Sequence, residues 1–233
     1  MFHVLSIDWD YFIHADGEER LAHFPDIPSE KYPKELQNII WKSRYSSDDD
    51  LLKIGYDPFV HEIVEKLFYV PRVIVADSHK WIVPYSLQAK AKQFHILNID
   101  FHSDFRDDTE SLDCGNWLSI LMGQYGGKYE WLGWKDSYKR GIPKRLRYFT
   151  DRAEAVRLID STVWDMLFIC RSDMWSPPHL DNDFTRVFQP LVQNSVVTGE
   201  IQQGIWESRY NEKFCSDVDK MRNTMEKFYR KQE

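Results

Sequence analysis

The sequence has few cysteines, no long apolar segment and no excess of positive charge. Its 233 residues include three cysteines, which are far apart and show no C-x-x-C spacing, so neither a disulfide framework nor a structural zinc site is supported. No apolar segment reaches the roughly 18 residues that a membrane helix needs, and the first residues lack a signal-peptide pattern. We therefore expect a soluble, cytoplasmic protein with no membrane partner.

The net charge is −7, which argues against a nucleic-acid partner, because general nucleic-acid binders present a basic face. Acidic excess suits cationic ligands or metal ions instead. Hydrophobic residues make up 42% and charged residues 29% of the chain, as is ordinary for globular proteins. The length suits a single domain over residues 1–233; the oligomeric state does not follow from the sequence.

Short apolar segments alternate with helical patterns along the chain. This alternation predicts an α/β fold, a three-layer arrangement in which a parallel sheet is flanked by helices. The predicted strands are residues 4–7, 73–76, 96–99, 129–134, 146–149 and 166–170. The predicted helices are residues 35–41, 58–68, 85–92, 117–123, 152–158 and 211–233. Residues 16–33 contain Gly and Pro and are predicted to form a loop.

The strongest chemical pattern is D-x-H-x-D directly after a buried strand, formed by Asp100, His102 and Asp104. Alternate residues of an extended chain point the same way, so these three side chains can converge. The carboxyl ends of parallel strands are also where open α/β sheets bind ligands. Two carboxylates and one imidazole suit a divalent ion, and no thiolate in the pattern favours zinc.

Two further strand ends carry similar side chains. The first strand runs into Asp8 and Asp10, and burying two like charges side by side is costly unless a cation compensates them. His79 follows the strand at residues 73–76. A single helix separates that strand from the strand before Asp100, so a right-handed crossover should make the two strands neighbours and bring His79 to the same place.

On these motifs the chain resembles the arginase (ureohydrolase) superfamily, which are binuclear manganese hydrolases with an α/β fold. The family's D-A-H-x-D motif is matched at residues 100–104, its G-G-D-H segment by residues 76–79, and its S-x-D-x-D strand end by residues 6–10. The strand that ends in S-x-D-x-D comes late in the sequence of arginases, whereas here it is the first strand, which implies a rearranged strand order. The resemblance implies two Mn²⁺ ions and the metal ligands Asp8, Asp10, His79, Asp100, His102 and Asp104.

The late strand at residues 166–170 also resembles a family motif, with Arg171 in place of the first aspartate. Asp173 is therefore a reserve ligand or a substrate contact. The family's G-N-x-H segment is matched at residues 115–117, where Asn116 is kept as a substrate contact and Trp117 replaces the histidine. By this resemblance His102, Asp104 and Asp173 are the catalytic residues, and the guanidinium contact is Asp173, Glu200 or Glu207.

Within the superfamily, the small size and the segments around Asp8 and Asn116 are most similar to the peptide arginases. Those enzymes convert arginine side chains of ribosomally made precursor peptides to ornithine and urea. The resemblance thus implies an arginine-containing precursor peptide as partner, with attack on the guanidinium carbon by a hydroxide that bridges two metal ions. The peptide, the arginines and any need for a leader segment stay open.

Three other functions remain open from the sequence. A deacetylase or amidohydrolase of the same superfamily would use one zinc ion, although the third carboxylate, Asp104, argues for two ions. A haloacid-dehalogenase-like phosphohydrolase would use Asp8 as nucleophile and Asp10 as acid/base. That family has Thr or Val where this chain has Phe12, and it leaves the D-x-H-x-D pattern unexplained. A metal-stabilised binding protein without catalysis is the third.

Overall fold

A computed structural model of the chain describes residues 1–25, 32–67, 69–106, 111–137, 142–194 and 198–230. Within these ranges seven strands form one parallel sheet in the order β5-β4-β3-β1-β6-β2-β7. The strands are β1 (Phe2–Asp8), β2 (Arg72–Ala76), β3 (Gln93–Ile99), β4 (Gly126–Leu132), β5 (Leu146–Phe149), β6 (Met166–Cys170) and β7 (Thr198–Ile201). The N-terminal strand β1 therefore lies at the centre of the sheet.

The helices are α1 (Gly17–His23), α2 (Lys34–Ser47), α3 (Phe59–Val64), α4 (Ile82–Gln88), α5 (Trp117–Gln124), α6 (Arg152–Ser161), α7 (Asp181–Asn194) and α8 (Glu212–Tyr229). Short 3₁₀ turns follow two of the strands, at Trp9–Phe12 after β1 and at His79–Trp81 after β2. Both turns begin where the sequence predicts functional side chains.

The sheet separates two hydrophobic cores, and alternate strand residues face each. On one side Leu5 and Ile7 of β1 pack with side chains of α2, α3, α6, α7 and α8. On the other side Val4 packs with side chains of α4 and α5. Burial on both faces explains why a central strand such as β6 is apolar throughout. Each large side chain buried in this way contributes on the order of 1.5–3 kcal/mol.

The predicted α/β architecture is confirmed in its class: an all-parallel sheet with helices on both faces. All six predicted strands and all six predicted helices are present. The strands at residues 146–149 and 166–170 have the predicted ends, and the ends of the other elements are shifted; residue 68 and residues 231–233 lie outside the described residues. Strand β7 and helix α7 were not predicted. Strand β7 contains a single large apolar residue, Ile201, and α7 contains Pro190, which is typical of a helix end.

The loop predicted for residues 16–33 is wrong for its first part, where α1 lies; residues 26–31 are outside the described residues. The signal was a capping box. The Asp16 side chain accepts hydrogen bonds from the backbone of Glu18 and Glu19, and the Glu19 side chain accepts one from the Asp16 backbone. This local pairing stabilises a helix in a segment whose glycine and prolines are typical of a loop.

Candidate metal centre

The six predicted metal ligands come together at the carboxyl end of the sheet, and we call them the acidic centre: Asp8, Asp10, His79, Asp100, His102 and Asp104. Asp8 ends β1, and its Oδ1 accepts a hydrogen bond of 2.9 Å from the Asp10 backbone. Asp100 follows β3 and accepts one of 2.7 Å at Oδ1 from the His102 backbone. Each first aspartate thus forms a tight turn directly after its strand, which keeps the second ligand at the same strand end.

His79 meets three carboxylates with one ring nitrogen. Its Nδ1 lies 2.8 Å from Asp104 Oδ2, 3.1 Å from Asp8 Oδ2 and 3.3 Å from Asp100 Oδ2. The other nitrogen, Nε2, lies 2.9 Å from Ser6 Oγ. With an ion bound, a hydrogen bond from Nε2–H to Ser6 Oγ would leave the Nδ1 lone pair for the ion. One nitrogen and three carboxylates that converge in this way are suited to a cation.

His102 forms the second half of the centre. Its Nδ1 lies 2.9 Å from Asp10 Oδ2 and 3.9 Å from Asp100 Oδ1. Asp100 therefore stands between the two halves, with Oδ2 toward His79 and Oδ1 toward His102. A carboxylate in this place can bridge two ions.

The route by which His79 reaches the centre differs from the predicted one. Strands β2 and β3 are not neighbours, because β6 and β1 lie between them; the predicted adjacency is wrong. The number of residues between two strands does not determine how many other strands lie between them in the sheet. His79 instead extends across β6, where its ring stacks on Phe168 with centroids 5.6 Å apart, and reaches Ser6 and Asp8 of β1.

The charges of the acidic centre are not balanced by its own residues. Burial, together with the charges of Asp10 and Asp100, raises the pKa of Asp8 to about 7. Burial and the charges of Asp104 and Asp10 raise the pKa of Asp100 to about 8. Four carboxylates so close in a buried site must either bind protons or share a cation.

The two histidines and Asp10 respond in the opposite sense. Burial lowers the pKa of His102, but the charges of Asp10 and Asp100 outweigh it and raise that pKa to about 9. Burial lowers the pKa of His79 too, but Asp8, Asp100 and Asp104 together outweigh burial and raise that pKa well above its usual value. Burial would raise the pKa of Asp10, yet His102 and then Arg20 lower it. The positive charges of the two imidazolium groups and of the Arg20 guanidinium thus partly balance the carboxylates.

The residues present fit divalent ions. Ligand atoms of His79, Asp100 and Asp104 lie within 4.8 Å of one another, and so do those of Asp10, Asp100 and His102. Asp10 Oδ2 is buried and has no hydrogen-bond partner among the described residues, although His102 Nδ1 is close. Oxygen with imidazole nitrogen is a donor set for manganese and similar ions. A buried carboxylate oxygen without a hydrogen-bonding partner is what an ion position requires.

Cys170 was not predicted to lie at this centre. Cys170 is the register partner of Asp8 on β6, and its Sγ lies within 4.8 Å of ligand atoms of Asp8 and His79. Burial and the charge of Asp8 raise the pKa of this thiol well above its usual value. The sequence signal was the strand end itself, because β6 ends level with β1.

Trp117 supports Asp104. Its indole Nε1 donates a hydrogen bond to Asp104 Oδ2, and its ring packs on His79 with centroids 5.3 Å apart. Asp104 has a φ of 49°, a left-handed conformation that is uncommon outside glycine. The tryptophan therefore orients a strained ligand.

Asn116, predicted to contact substrate, is buried and uses its amide within its own loop. Its Oδ1 accepts a 2.9 Å hydrogen bond from the Asp113 backbone, and its Nδ2 donates a 2.7 Å bond to the Ser111 carbonyl. These bonds shape the segment that leads into α5 and Trp117. A role for Asn116 in substrate binding stays a prediction.

Asp173 lies at the same edge of the sheet but in a separate group, which we call the arginine-paired cluster: Arg171, Asp173, Asp181 and Arg209. Arg171 binds both carboxylate oxygens of Asp173, at 2.6 and 3.0 Å. Although burial opposes it, the charges of Arg209 and Arg171 lower the pKa of Asp173. The structure thus does not bring Asp173 into the acidic centre, and its predicted catalytic role stays a prediction.

The other two candidates for the guanidinium contact lie in different places. Glu200 is on β7 and pairs with Arg72 at 2.9 Å. Glu207 lines a cavity of about 220 Å³ together with Lys34 and Asp173. A second cavity of about 260 Å³ shares Lys34 and Asp173 and is also lined by Ser78 and Trp175.

The acidic centre opens toward solvent on one side. The His102 side chain is 36% exposed, whereas that of His79 is 1% exposed. Trp175, which lines the second cavity, packs against His102 with ring centroids 4.9 Å apart. The cavity therefore adjoins the more exposed half of the centre.

Comparisons with protein-family models, curated proteins and solved structures give no match. Among the described residues, no helix is both long and apolar enough to span a bilayer. The assignment of function therefore depends on the geometry of the acidic centre and on the motif resemblance.

Proposed function

We propose that this protein is a binuclear metal-dependent C–N hydrolase of the arginase type, which acts on arginine side chains of a precursor peptide and gives ornithine and urea. The observation that carries the proposal is the position of Asp100, whose two oxygens face two separate groups of ligands, each with one histidine. Two ion positions that share a carboxylate are suited to activating water for hydrolysis.

The ligand sets follow from the contacts. His79, Asp104 and Asp100 would hold one Mn²⁺, Asp10, His102 and Asp100 the other, and Asp8 lies beside the first set. Four aspartates supply four negative charges for two divalent ions. When bound, such ions supply Lewis-acid activation of water, whose pKa falls from 15.7 toward about 7.

Residues around the centre orient its ligands and limit access to it. Ser6 and Trp117 orient His79 and Asp104, and such outer contacts sustain metal affinity. Trp175 lines the adjoining cavity and packs against His102 of the centre. A side chain that enters there reaches the His102 half first, since the His79 half is buried.

The proposal also covers the fold family and the cell compartment: an arginase-like sheet with a rearranged strand order, in a cytoplasmic protein. In support, β1 lies directly beside β3, so the S-x-D-x-D and D-x-H-x-D strand ends are adjacent although the chain order differs. A rearranged order that preserves this adjacency preserves the ligand set.

The test is incubation of manganese-loaded protein with arginine-containing peptides and with free arginine, followed by mass measurement and a urea assay. Conversion appears as the fixed mass decrease from arginine to ornithine. His102→Ala should abolish it, whereas His61→Ala, an exposed histidine of α3, should not. Protein that holds manganese but releases no urea from any substrate would refute the proposal.

A further inference from the structure

Arg20 is a buried cation beside one half of the acidic centre. Its side chain is 8% exposed and comes from α1, a helix that the sequence analysis did not predict. The capping box at Asp16 and Glu19 stabilises this helix, and the Gly17 backbone donates a hydrogen bond to Asp136. Arg20 is therefore held in place from a rigid element.

The polar contacts of Arg20 are all made on the Asp10 side. Nε donates to the Ala15 carbonyl at 2.9 Å and Nη2 to the Asp10 carbonyl at 2.5 Å. The guanidinium carbon lies 3.8 Å from the centre of the Phe101 ring. Backbone carbonyls and an aromatic face thus fix the group without using a carboxylate oxygen of the centre.

The third guanidinium nitrogen of Arg20, Nη1, lies close to the Asp10 carboxylate but does not donate a hydrogen bond to it. Nη1 lies 3.7 Å from Asp10 Oδ2 and is buried without a hydrogen-bond partner among the described residues. Asp10 Oδ2 is also buried, and His102 Nδ1, the other nitrogen of this ion position, lies 2.9 Å from it. The arrangement leaves Oδ2 available to an ion while a fixed positive charge stays next to it. A cation at this range repels a divalent ion strongly in a partly desolvated site.

We propose that Arg20 makes the ion position of Asp10, Asp100 and His102 the weaker and later-filled of the two. The inference rests on the metal-binding part of the proposed function. A second observation agrees with it: His102 is 36% exposed and His79 is 1% exposed, so an ion on the His102 side also has the easier route to solvent. Arg20 is a positioning residue, since it acts through Asp10.

The experiment is a manganese titration of metal-free protein, followed by the electron paramagnetic resonance signal of the unbound Mn²⁺ ion. Wild-type protein should bind two ions in two distinguishable steps. Arg20→Met should tighten the weaker step by about tenfold or more, because one charge is removed at this range, and leave the tighter step nearly unchanged. Arg20→Lys keeps the charge and should preserve the gap between the steps. Arg147→Met, which removes a charge beside Glu130 instead, is the matched control and should change neither step.

A second pair of variants keeps the inference testable where Arg20→Met does not fold. His102→Ala should remove the weaker step, and His79→Ala should remove the tighter one. The inference is overturned by two equal steps in the wild type, by loss of the tighter step in His102→Ala, or by equal weakening in both Arg20 variants. Absence of any bound manganese would instead refute the proposed function.

Discussion

Two buried acidic groups lie at the same edge of the sheet and differ in how their charge is balanced. In the arginine-paired cluster, Asp181 accepts hydrogen bonds of 2.8 and 2.6 Å from the side chain of Arg209, and Arg171 binds Asp173 in the same two-pronged way. In the acidic centre four aspartates face two histidines and one arginine that stands 3.7 Å away.

The pKa values follow this difference. The pKa of Asp173 is lowered despite burial, by the charges of Arg209 and Arg171. The pKa values of Asp8 and Asp100 are raised to about 7 and about 8 by burial and by the neighbouring aspartates. Aspartates at the same sheet edge are thus paired with arginines in one group, whereas in the other group they must bind protons or share a cation.

The largest expected effect comes from breaking the balanced group. Arg209→Met leaves Asp173 and Asp181 buried with fewer cationic partners, so the free energy of unfolding should fall by about 3–5 kcal/mol. Urea denaturation measures it. Arg157→Met removes an exposed partner of Asp151 at 3.7 Å and should change stability by less than about 1 kcal/mol. Equal effects of the two variants would contradict the assigned difference.

The second prediction concerns pH and the metal-free acidic centre. The folded-state pKa values of Asp8, Asp100 and His102 are raised to about 7, 8 and 9, so folding takes up protons there. The stability that these groups contribute is present at low pH and is lost as the pH rises through those values. Chelated protein should therefore lose stability between about pH 4 and pH 9. Added manganese should oppose the loss.

This prediction is checked by denaturation in a chelator across that pH range, with Asp100→Asn for comparison. The variant should show a shallower loss, because one crowded carboxyl is gone. The balanced cluster contributes the opposite slope, since the lowered pKa of Asp173 gives stability that is lost on acidification. Stability of chelated wild-type protein that rises steadily with pH would contradict the account.

A smaller effect is expected from Ser6→Ala. The hydroxyl lies 2.9 Å from His79 Nε2, and loss of such an outer contact typically costs 10–100-fold in metal affinity or activity. We expect about the lower end, since His79 is also held by Phe168 and Trp117. A manganese titration at constant pH measures it. Ser119→Ala, whose hydroxyl bonds the Arg106 carbonyl, is the control.

The strand ends that carry the candidate site residues could be predicted, because a strand end is a local feature of the sequence. The patterns at Asp8–Asp10 and at residues 100–104 follow apolar segments, and parallel pairing alone places such ends at one edge. The candidate ligands could be assigned to one edge of the sheet from the sequence, whereas the position of β1 directly beside β3 is known only from the structure.

The rest depended on contacts that sequence spacing does not encode. His79 crosses β6 to reach the centre, and nothing in the segment between β2 and β3 shows that two strands intervene. Arg20 comes from a helix obscured by Gly17 and nearby prolines. Asp173 has the right residue type at the right strand end, but Arg171 pairs with it, and its second cationic partner, Arg209, lies 36 residues later in sequence.

The central claim is that the unbalanced carboxylates hold two divalent ions, and metal analysis of manganese-reconstituted protein tests it most directly. We expect two manganese ions per wild-type chain and no more than one in Asp100→Asn, because Asp100 faces both ion positions. A wild-type chain that retains no manganese, or an Asp100→Asn chain that still holds two ions as tightly as the wild type, would contradict it.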